Sequence, residues 1–317
     1  MILTRKGFLA AVAVGAGLLC GAGAARAQAA EPVSSEQIAR ILASPDRSSA
    51  DRTNDLRRKP EHLLAFFGIR PGMVALDLSA AGGYTTELLA RASGPTGKVY
   101  GQSRPPSDPG SPPSRPPAAP EGNSHPTATQ AAPVAAPIPA PIPAPSGAPV
   151  AAPTGAPVPP AAPRRTSPVA LADRDAKLRA AGIPAAPIVA VSRPFEDPIP
   201  PELAAGSVDI VTLMFNYHDL GHMGVDRAAM NRAVFGVVKS GGIYVIADHA
   251  GRPGTGISES GTLHRIDEAF LRQEVEAAGF KLAAEGGFLR NPNDPRDKNT
   301  PDPPQPKDQF VLKFVKP

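Results

Sequence analysis

The chain alternates short apolar runs with helical segments, and the alternation ends in two strands that have no helix between them. Val74–Leu78 and Val208–Met214 are short, mainly apolar runs, typical of strands buried on both faces of a parallel sheet. Lys281–Phe288 and Gln309–Val315 instead favour a closing antiparallel pair. Strands separated by helices predict an α/β fold in which a doubly wound parallel sheet is covered on both faces.

The same pattern predicts the elements between these strands. Further strands are expected at Lys98–Gly101, Ala186–Val191 and Ile243–Ala247. Helices are expected from Ser34 onward and at Pro60–Phe67, Tyr84–Ala92, Val169–Ala181, Arg227–Lys239 and Asp267–Ala278. Elements of this number and length are enough for one domain with a substantial core.

Residues 1–27 have the pattern of an export signal. Arg5 and Lys6 precede an apolar run, Phe8–Leu19, that is too short to span a bilayer, and a small-x-small motif favours cleavage after Ala27. The residues around Arg5 resemble a twin-arginine signal. We therefore expect a periplasmic or secreted protein that has no stable membrane insertion after cleavage.

Residues 104–168 are rich in proline and alanine and contain many of the 41 prolines of the chain. A segment with so few bulky apolar groups cannot offset the entropy of ordering, and proline removes backbone donors. This composition predicts a disordered insert, either a plain spacer or a contact site for an unknown partner. Residues 28–103 and 169–317 are then expected to form a single domain around it.

The formal net charge of +4 gives little reason to expect a nucleic-acid partner. Three of the basic residues belong to the export signal, so the mature chain is nearly neutral. No basic stripe or aromatic platform stands out, and nucleic-acid binding is therefore not predicted. Cys20, the single cysteine, also lies in the signal, so the mature chain offers no disulfide or thiol chemistry.

The stretch VALDLSAAGGYTTELLA, residues 74–90, predicts a strand, a tight turn and the start of a helix. In open parallel sheets, ligands lie outside the carboxyl ends of the strands, near the point where the strand order reverses. The small residues Ser79–Gly83 would let a ligand approach the backbone, and Gly82 or Gly83 can adopt positive φ at little cost. The alternative is a strand-to-helix turn that binds nothing.

Polar and ionisable residues follow two strands that the pattern places side by side. Asn216, His218 and Asp219 follow the fourth strand, and Asp248 and His249 follow the fifth. An imidazole or carboxylate at this edge could remove a proton from a nucleophile, as group transfer to a hydroxyl or amine requires. Each residue taken singly is also typical of caps and loops.

A metal site is a second interpretation of the same region. His218 and His222 have i, i+4 spacing, which would place two imidazoles on one face of a helix and suits zinc or another transition metal. Gly221 weakens the helix that this spacing needs, so no residue is assigned as a metal ligand. The companion candidates are Asp219, Asp248, His249 and His264.

Four stretches match a known family in order: RRKPEHLLAFFGIRPGMVALDLSAAGGYTTELLA, SVDIVTLMFNYHDL, VFGVVKSGGIYVIADHAG and DQFVLKFVKP. They resemble the exported "predicted methyltransferase" branch of the class I S-adenosylmethionine-dependent methyltransferases. The resemblance implies a Rossmann-like doubly wound seven-stranded sheet with an antiparallel last strand. It also implies S-adenosylmethionine as the cofactor and methyl transfer to a small-molecule substrate.

The resemblance further implies which residues form the cofactor turn. The acid-x-Gly-x-Gly-x-Gly pattern of the family falls on Asp77, Ser79, Ala81 and Gly83, so two of its three glycines are replaced. Gly82 lies within the same turn. If the turn demands positive φ at Ala81, the cost would be on the order of 1 kcal/mol.

Other site residues follow from the same resemblance. Gln102 stands where the family has a ribose-binding acid, Phe195 and Glu196 are expected beside the adenine, and Asn216 is expected on the cofactor side. The expected catalytic residues are His218, Asp219, Asp248 and His249. Two alternatives stay open: a catalytically silent methyltransferase-like binding protein, and a metal-binding protein that uses His218 and His222.

Two segments are expected to border the substrate. Arg47, Arg52, Arg58 and Lys59 lie in an N-terminal region that would cover the strand ends as a lid and hold an acidic substrate group. Residues 290–307 form a long loop between the last two strands and would border the entrance. A solvated helix face and a plain connection are the alternatives for these two segments.

Overall fold

The computed structural model describes residue 1 and residues 30–105, 167–299, 301, 303 and 305–317. Apart from its first residue, the expected export signal lies outside the described residues, as does the expected insert between residues 106 and 166. Glu31–Pro317 belong to one unit of the chain. Among the helices of the described ranges, none combines the length and the apolar character that crossing a bilayer needs.

Helices and strands alternate along the described chain. The strands are β1 (Val74–Leu78), β2 (Lys98–Ser103), β3 (Ile188–Ser192), β4 (Val208–Met214), β5 (Val238–His249), β6 (Lys281–Gly286) and β7 (Gln309–Val315). The helices are α1 (Ser35–Ala43), α2 (Ser49–Arg58), α3 (Pro60–Phe67), α4 (Tyr84–Ser93), α5 (Ser167–Ala180), α6 (Asp219–His222), α7 (Arg227–Val237) and α8 (Glu268–Ala277).

The seven strands lie in the order β3-β2-β1-β4-β5-β7-β6. The pairs among β1 to β5 are parallel, whereas β7 runs antiparallel to both β5 and β6. The prediction of a Rossmann-like doubly wound seven-stranded sheet with an antiparallel last strand is therefore confirmed. β1 lies between β2 and β4, so the strand order reverses beside its carboxyl end.

Apolar residues cover both faces of the sheet, because successive residues of a strand point to opposite sides. On one side, Leu76 of β1 and Leu213 of β4 belong to a core that includes Val234 of α7 and Leu271 of α8. On the other side, Ala75 and neighbouring strand residues share a core with residues of α1, α3, α4 and α5, namely Ile38, Leu64, Leu89 and Leu171. The carboxyl ends of the parallel strands meet at one edge between these two layers.

Two helices were not expected from the sequence pattern. α2 has little apolar periodicity, and polar contacts hold it instead, among them the pair of Arg47 with Asp55 at 2.6 Å. α6 is a single turn that begins at Asp219. Periodicity identifies helices that bury an apolar stripe, so helices fixed by polar contacts escape it.

Some element boundaries also differ from the expectation. β5 spans Val238–His249, longer than the expected Ile243–Ala247, because Val238 at its start pairs with Val208 of β4 and His249 at its end pairs with Gln309 of β7. The helix expected to reach Lys239 accordingly ends at Val237. α5 begins at Ser167, so the last two residues of the expected insert are helical.

Candidate functional site

The turn between β1 and α4 has a left-handed backbone at each position where the resembling family has glycine. The φ angle is 55° at Ser79, 48° at Ala81 and 79° at Gly83. Glycine adopts such values freely, whereas a side chain there costs about 1–2 kcal/mol per residue. The turn therefore keeps the conformation of a glycine-rich turn although serine and alanine occupy two of its positions. Strain of this kind persists where the surroundings hold the backbone in place.

Gln102 holds this turn from the neighbouring strand. Its Oε1 accepts from the backbone N–H of Ser79 at 3.0 Å, and its Nε2 donates to the carbonyl of Arg193 at 2.7 Å. The residue is fully buried. The resemblance to the class I methyltransferases predicts a contact between Gln102 and the ribose of the cofactor. In the structure the side chain supports the turn through one hydrogen bond on each side of its amide, and its contact with the ribose stays a prediction.

Asp77 has both carboxylate oxygens engaged. Oδ2 accepts from the hydroxyl of Thr86 at 2.6 Å, and Oδ1 accepts from the hydroxyl of Thr212 at 2.7 Å. Burial raises the pKa of this carboxyl to about 6, against the two hydroxyl hydrogen bonds, which lower it. Asp77 thus ties β1 to α4 and β4, and its contact with a cofactor stays a prediction.

Ser103, at the end of β2, has no role in the sequence pattern but is notable in the structure. Its Oγ is buried and has no hydrogen-bond partner among the described residues. An unpaired buried hydroxyl is costly unless water or a ligand satisfies it. The residue lies next to Gln102, where the resembling family binds ribose hydroxyls, so it is a candidate partner for them. The sequence signal that could have identified Ser103 is the polar pair Gln102 and Ser103 directly after the apolar residues of β2.

These groups fit the methionine and ribose part of S-adenosylmethionine. Ala81 and Gly82 are exposed, and a Cβ built on Gly82 would meet no atom within 4 Å, so a ligand can approach this backbone. The free hydroxyl of Ser103 offers a polar partner, while β2 ends without a carboxylate. The fit therefore depends on backbone and hydroxyl groups rather than on an anion.

The residues expected beside the adenine lie on the loop after β3. Phe195 is only 4% exposed and belongs to the same apolar core as Tyr100 and Val191, which accounts for its burial without a ligand. Glu196 is exposed on the same loop. For both residues, contact with the adenine stays a prediction.

Ser79 and Asn216 join the turn to the end of β4. The hydroxyl of Ser79 donates to Oδ1 of Asn216 at 2.7 Å, and Nδ2 of Asn216 donates to Oδ2 of Asp219 at 2.8 Å. The turn expected to bind the cofactor and the residues expected to carry the chemistry are therefore linked by two side-chain hydrogen bonds.

His218 lies between two carboxylates. Its Nδ1 is 2.6 Å from Oδ1 of Asp248, and its Nε2 is 3.0 Å from Oδ1 of Asp219. Burial alone lowers the pKa of this imidazole, but the charge of Asp248 and the hydrogen bonds to both carboxylates raise it to about 9. Burial raises the pKa of Asp219, yet hydrogen bonds from His218 and His264 lower it to about 2. His218 is thus an imidazolium at neutral pH, held by two carboxylates.

Two further histidines approach Asp219. Nδ1 of His264 is 2.8 Å from its Oδ1, whereas Nδ1 of His222 is 3.8 Å away from that oxygen and 3.0 Å from the hydroxyl of Ser260. The second histidine that contacts Asp219 closely is therefore His264, whereas the i, i+4 spacing predicts His222 as the companion of His218. The ligand atoms of His218, Asp219 and His264 all lie within 4.8 Å of one another.

His249 connects this group to a cavity of about 890 Å³. The ring centroids of His218 and His249 are 5.4 Å apart. Burial lowers the pKa of His249 to about 3, although the charge of Asp248 opposes this, so the ring is neutral at pH 7. Nδ1 of His249 lies 3.2 Å from Nε2 of Gln309, which also lines the cavity.

The cavity is cationic. None of its described lining residues is Asp or Glu, while four carry a positive charge, namely Arg57, Lys59, Arg290 and Lys307. Lys59 and Lys307 form no ion pair with a described residue. Residues 289–309 supply much of the wall, so the loop expected at the substrate entrance borders this cavity.

The four basic residues expected in a lid divide into two pairs. Arg47 pairs with Asp55, and Arg52 donates to the carbonyl of Ser44 at 2.6 Å, so both stabilise the N-terminal helices. Arg58 instead lies 3.9 Å above the ring of Phe215, directly after β4, and Lys59 lines the cavity. Burial lowers the pKa of Arg58 to about 10, and the residue stays protonated at neutral pH.

Comparison with solved structures finds methyltransferases of low sequence identity. A S-adenosylmethionine-dependent methyltransferase from Aquifex aeolicus gives a TM-score of 0.47 at 14% identity, covering 90% of this chain and 100% of that chain. A TehB-like methyltransferase from Corynebacterium glutamicum gives 0.41 at 13%, covering 84% and 96%. An arsenic(III) S-adenosylmethionine methyltransferase from Chlamydomonas reinhardtii gives 0.44 at 14%, covering 78% and 64%.

No family model and no curated protein sequence matches the chain. At these identities and TM-scores the structural likenesses carry no information about activity. The strand order itself, with five parallel strands and β7 inserted antiparallel between β5 and β6, is that of the class I methyltransferases. The chain therefore has the class I methyltransferase fold.

Proposed function

We propose that the chain is a S-adenosylmethionine-dependent methyltransferase that acts on a small-molecule acceptor. The observation that carries the proposal is the turn after β1, which keeps left-handed positions at Ser79, Ala81 and Gly83 where the strand order reverses. Such a turn presents backbone groups and small side chains to a ligand. The export pattern of residues 1–27 supports a site of action in the periplasm or outside the cell.

The arrangement beyond the turn suits methyl transfer to a nucleophile that carries a proton. S-adenosylmethionine supplies a methyl group on a sulfonium, and the chain must align the acceptor and take up its proton. His218 already holds a proton at neutral pH, and Nδ1 of the neutral His249 accepts from Nε2 of Gln309, so the lone pairs for this step are on Asp219. We assign proton uptake to Asp219, and we assign to His218 and Asp248 the positioning of the group.

The cavity beside His249 is the proposed acceptor site. Its described lining residues include cations and no carboxylate, which favours an anionic molecule, such as one with a carboxylate or phosphate group. Arg57, Lys59 and Lys307 are the cations expected to attract it. A silent binding protein is the competing function, because β2 ends in Gln102 and Ser103 and has no acid there.

Calorimetry of the purified chain with S-adenosylmethionine and S-adenosylhomocysteine tests the cofactor site. In Gly83→Val, a Cβ would meet Cδ2 of Leu171 at 2.7 Å at a residue with φ of 79°, so binding should weaken by about tenfold or more. Gly182→Val is the matched control, because its φ is 64° and its Cβ would meet nothing within 4 Å. No binding by the unaltered chain, or equal weakening in both variants, would contradict the proposal.

Turnover separates the enzyme from the silent binding protein. Labelled methyl groups should pass from S-adenosylmethionine to a member of a panel of carboxylate- and phosphate-bearing small molecules, and Asp219→Asn should slow this transfer. Cofactor binding without transfer to any member of an extended panel would favour the silent alternative.

A further inference from the structure

Three imidazoles surround the carboxylate of Asp219, and two of them point at the same oxygen. Nδ1 of His264 is 2.8 Å from Oδ1, and Nε2 of His218 is 3.0 Å from it. The three ligand atoms of this group lie within 4.8 Å of one another. A metal ion with bonds of about 2.0–2.2 Å to nitrogen and oxygen would draw such atoms together by small side-chain movements.

His218 is oriented as a metal ligand usually is. Its Nδ1 faces Oδ1 of the fully buried Asp248 at 2.6 Å, which leaves Nε2 to face the group. An ion bound there would replace the proton that Nε2 carries in the ion-free chain, and that proton would be released to solvent. The carboxylate of Asp248 is fixed in turn by the backbone N–H groups of His218 and His249, at 2.7 and 2.8 Å. A histidine that binds a metal commonly donates its other ring nitrogen to a carboxylate in this way.

His264 reaches the group through an unfavourable backbone conformation. Its φ is 51°, a left-handed value that costs about 1 kcal/mol or more for a residue with a side chain. Strained conformations of this kind concentrate at ligand sites, and here the strain places the imidazole on Asp219.

The group is closed on one side and open on the other. The side chain of His218 is 4% exposed, whereas those of Asp219 and His264 are 23% and 40% exposed. His222 is turned to Ser260 and stays outside the set of three. Three protein ligands with an open position are typical of catalytic metal sites, while structural sites have four.

We propose that His218, Asp219 and His264 bind one divalent transition-metal ion of the zinc type. Two imidazoles and one carboxylate favour zinc, iron(II) or cobalt(II) over magnesium or calcium, which prefer oxygen ligands. The proposal goes beyond methyl transfer, because binding of the ion requires neither S-adenosylmethionine nor an acceptor.

Cobalt(II) titration of the chelator-treated chain tests the site. We expect visible absorption bands that saturate at one equivalent, and displacement of cobalt by one equivalent of zinc. His264→Ala and Asp219→Asn should weaken binding by at least about tenfold, since each loses one ligand of three. The matched control is His62→Ala on α3, because this side chain is 56% exposed and far from the group in sequence.

A gain of signal distinguishes direct ligation from loss of structure. His264→Cys keeps a ligand at this position and should add a sulfur-to-cobalt charge-transfer band that the unaltered chain lacks. Cobalt binding by His264→Ala as tight as that of the unaltered chain, or no new band in folded His264→Cys, would overturn the proposal. Because no cofactor is present in the titration, its failure leaves the methyltransferase proposal intact, and failure of cofactor binding leaves the metal proposal intact.

Discussion

Ala81 is the residue at which a glycine should stabilise the chain. It is exposed and has a φ of 48°, so its Cβ makes the left-handed conformation costly. Glycine removes about 1–2 kcal/mol of strain from the folded state. It also gives the unfolded chain more conformational freedom, which lowers the free energy of unfolding by about 0.5–1 kcal/mol. We expect Ala81→Gly to raise the free energy of unfolding by about 0.5–1 kcal/mol in urea titrations.

The matched control for this substitution is Ala65→Gly. Ala65 is exposed within α3, where the backbone is helical, so the same change should lower the free energy of unfolding by about 1 kcal/mol. If Ala81→Gly lowers stability as much as Ala65→Gly does, Ala81 is not strained.

Asp77 should make the free energy of unfolding depend on pH in the opposite direction from a salt-bridged carboxylate. Burial raises its pKa to about 6 from the unfolded value of 3.8, so the folded state binds this proton more tightly than the unfolded state. The contribution of this group to stability should fall as pH rises from about 4 to 6, by about 3 kcal/mol, and then stay level. The charge of Arg58 lowers the pKa of Asp77 and moderates the effect.

Asp77→Asn removes the titration and keeps an oxygen that accepts a hydrogen bond from threonine. Between about pH 4 and pH 6 the unaltered chain should lose stability through Asp77, whereas the variant should not. The free energy of unfolding of the variant should therefore rise relative to that of the unaltered chain over this range. A difference that stays constant over this range would show that Asp77 is charged throughout, with no raised pKa.

At the scale of residues, the sequence predicts positions better than contacts. Asp77, Asn216 and Asp248 stand at strand ends, and the alternation of strands and helices is enough to place them there. The contacts of Gln102 with Ser79 and Arg193 depend on which strands become neighbours. No local pattern in the sequence contains that information.

At the scale of elements, one arginine holds α5 against the turn. Nε of Arg174 donates to the carbonyl of Gly82 at 2.5 Å, and its terminal nitrogens pair with Asp51 at 2.8 Å and with Glu87. Arg174→Ala would leave two largely buried carboxylates without this partner, at a cost of about 3 kcal/mol. We also expect faster hydrogen exchange at the amides of Ser79–Gly83, because the turn loses one of its anchors.

Arg272→Ala on α8 is the control for this prediction. Arg272 pairs with Glu276, and both side chains are well exposed, at 47% and 35%, so its loss should change the free energy of unfolding by less than about 0.5 kcal/mol. If the two substitutions lower the free energy of unfolding equally, Arg174 contributes no more to stability than an exposed surface charge.

Elements that depend on distant partners are those that the sequence pattern misses. β1, β4 and β7 lie where predicted because each buries an apolar run. α2 depends on polar partners from other segments, such as Arg174. β5 is longer than its apolar run because β4 pairs with its first residue and β7 pairs with its last residues.

At the scale of the whole molecule, the sheet edge gathers groups from segments that are far apart in the chain. The turn after β1 supplies backbone, the ends of β4 and β5 supply ionisable groups, and α2 with residues 289–309 supplies the wall of a cationic cavity. The fold class followed from the sequence because it depends on the order of elements. The cavity did not, because its walls come from loops whose path no periodicity describes.

The insert between β2 and α5 offers a test that involves the whole chain. A Gly-Ser linker of about eight residues in place of residues 106–166 can reach about 26 Å, and it shortens the loop that folding must close. If the insert is disordered, as its composition predicts, the shorter loop should raise the free energy of unfolding by about 2 kcal/mol. A scrambled insert of equal length and composition is the control and should leave stability unchanged. A loss of stability with the linker, or with the scrambled sequence, would show that the insert packs on the domain, and its predicted disorder would be wrong.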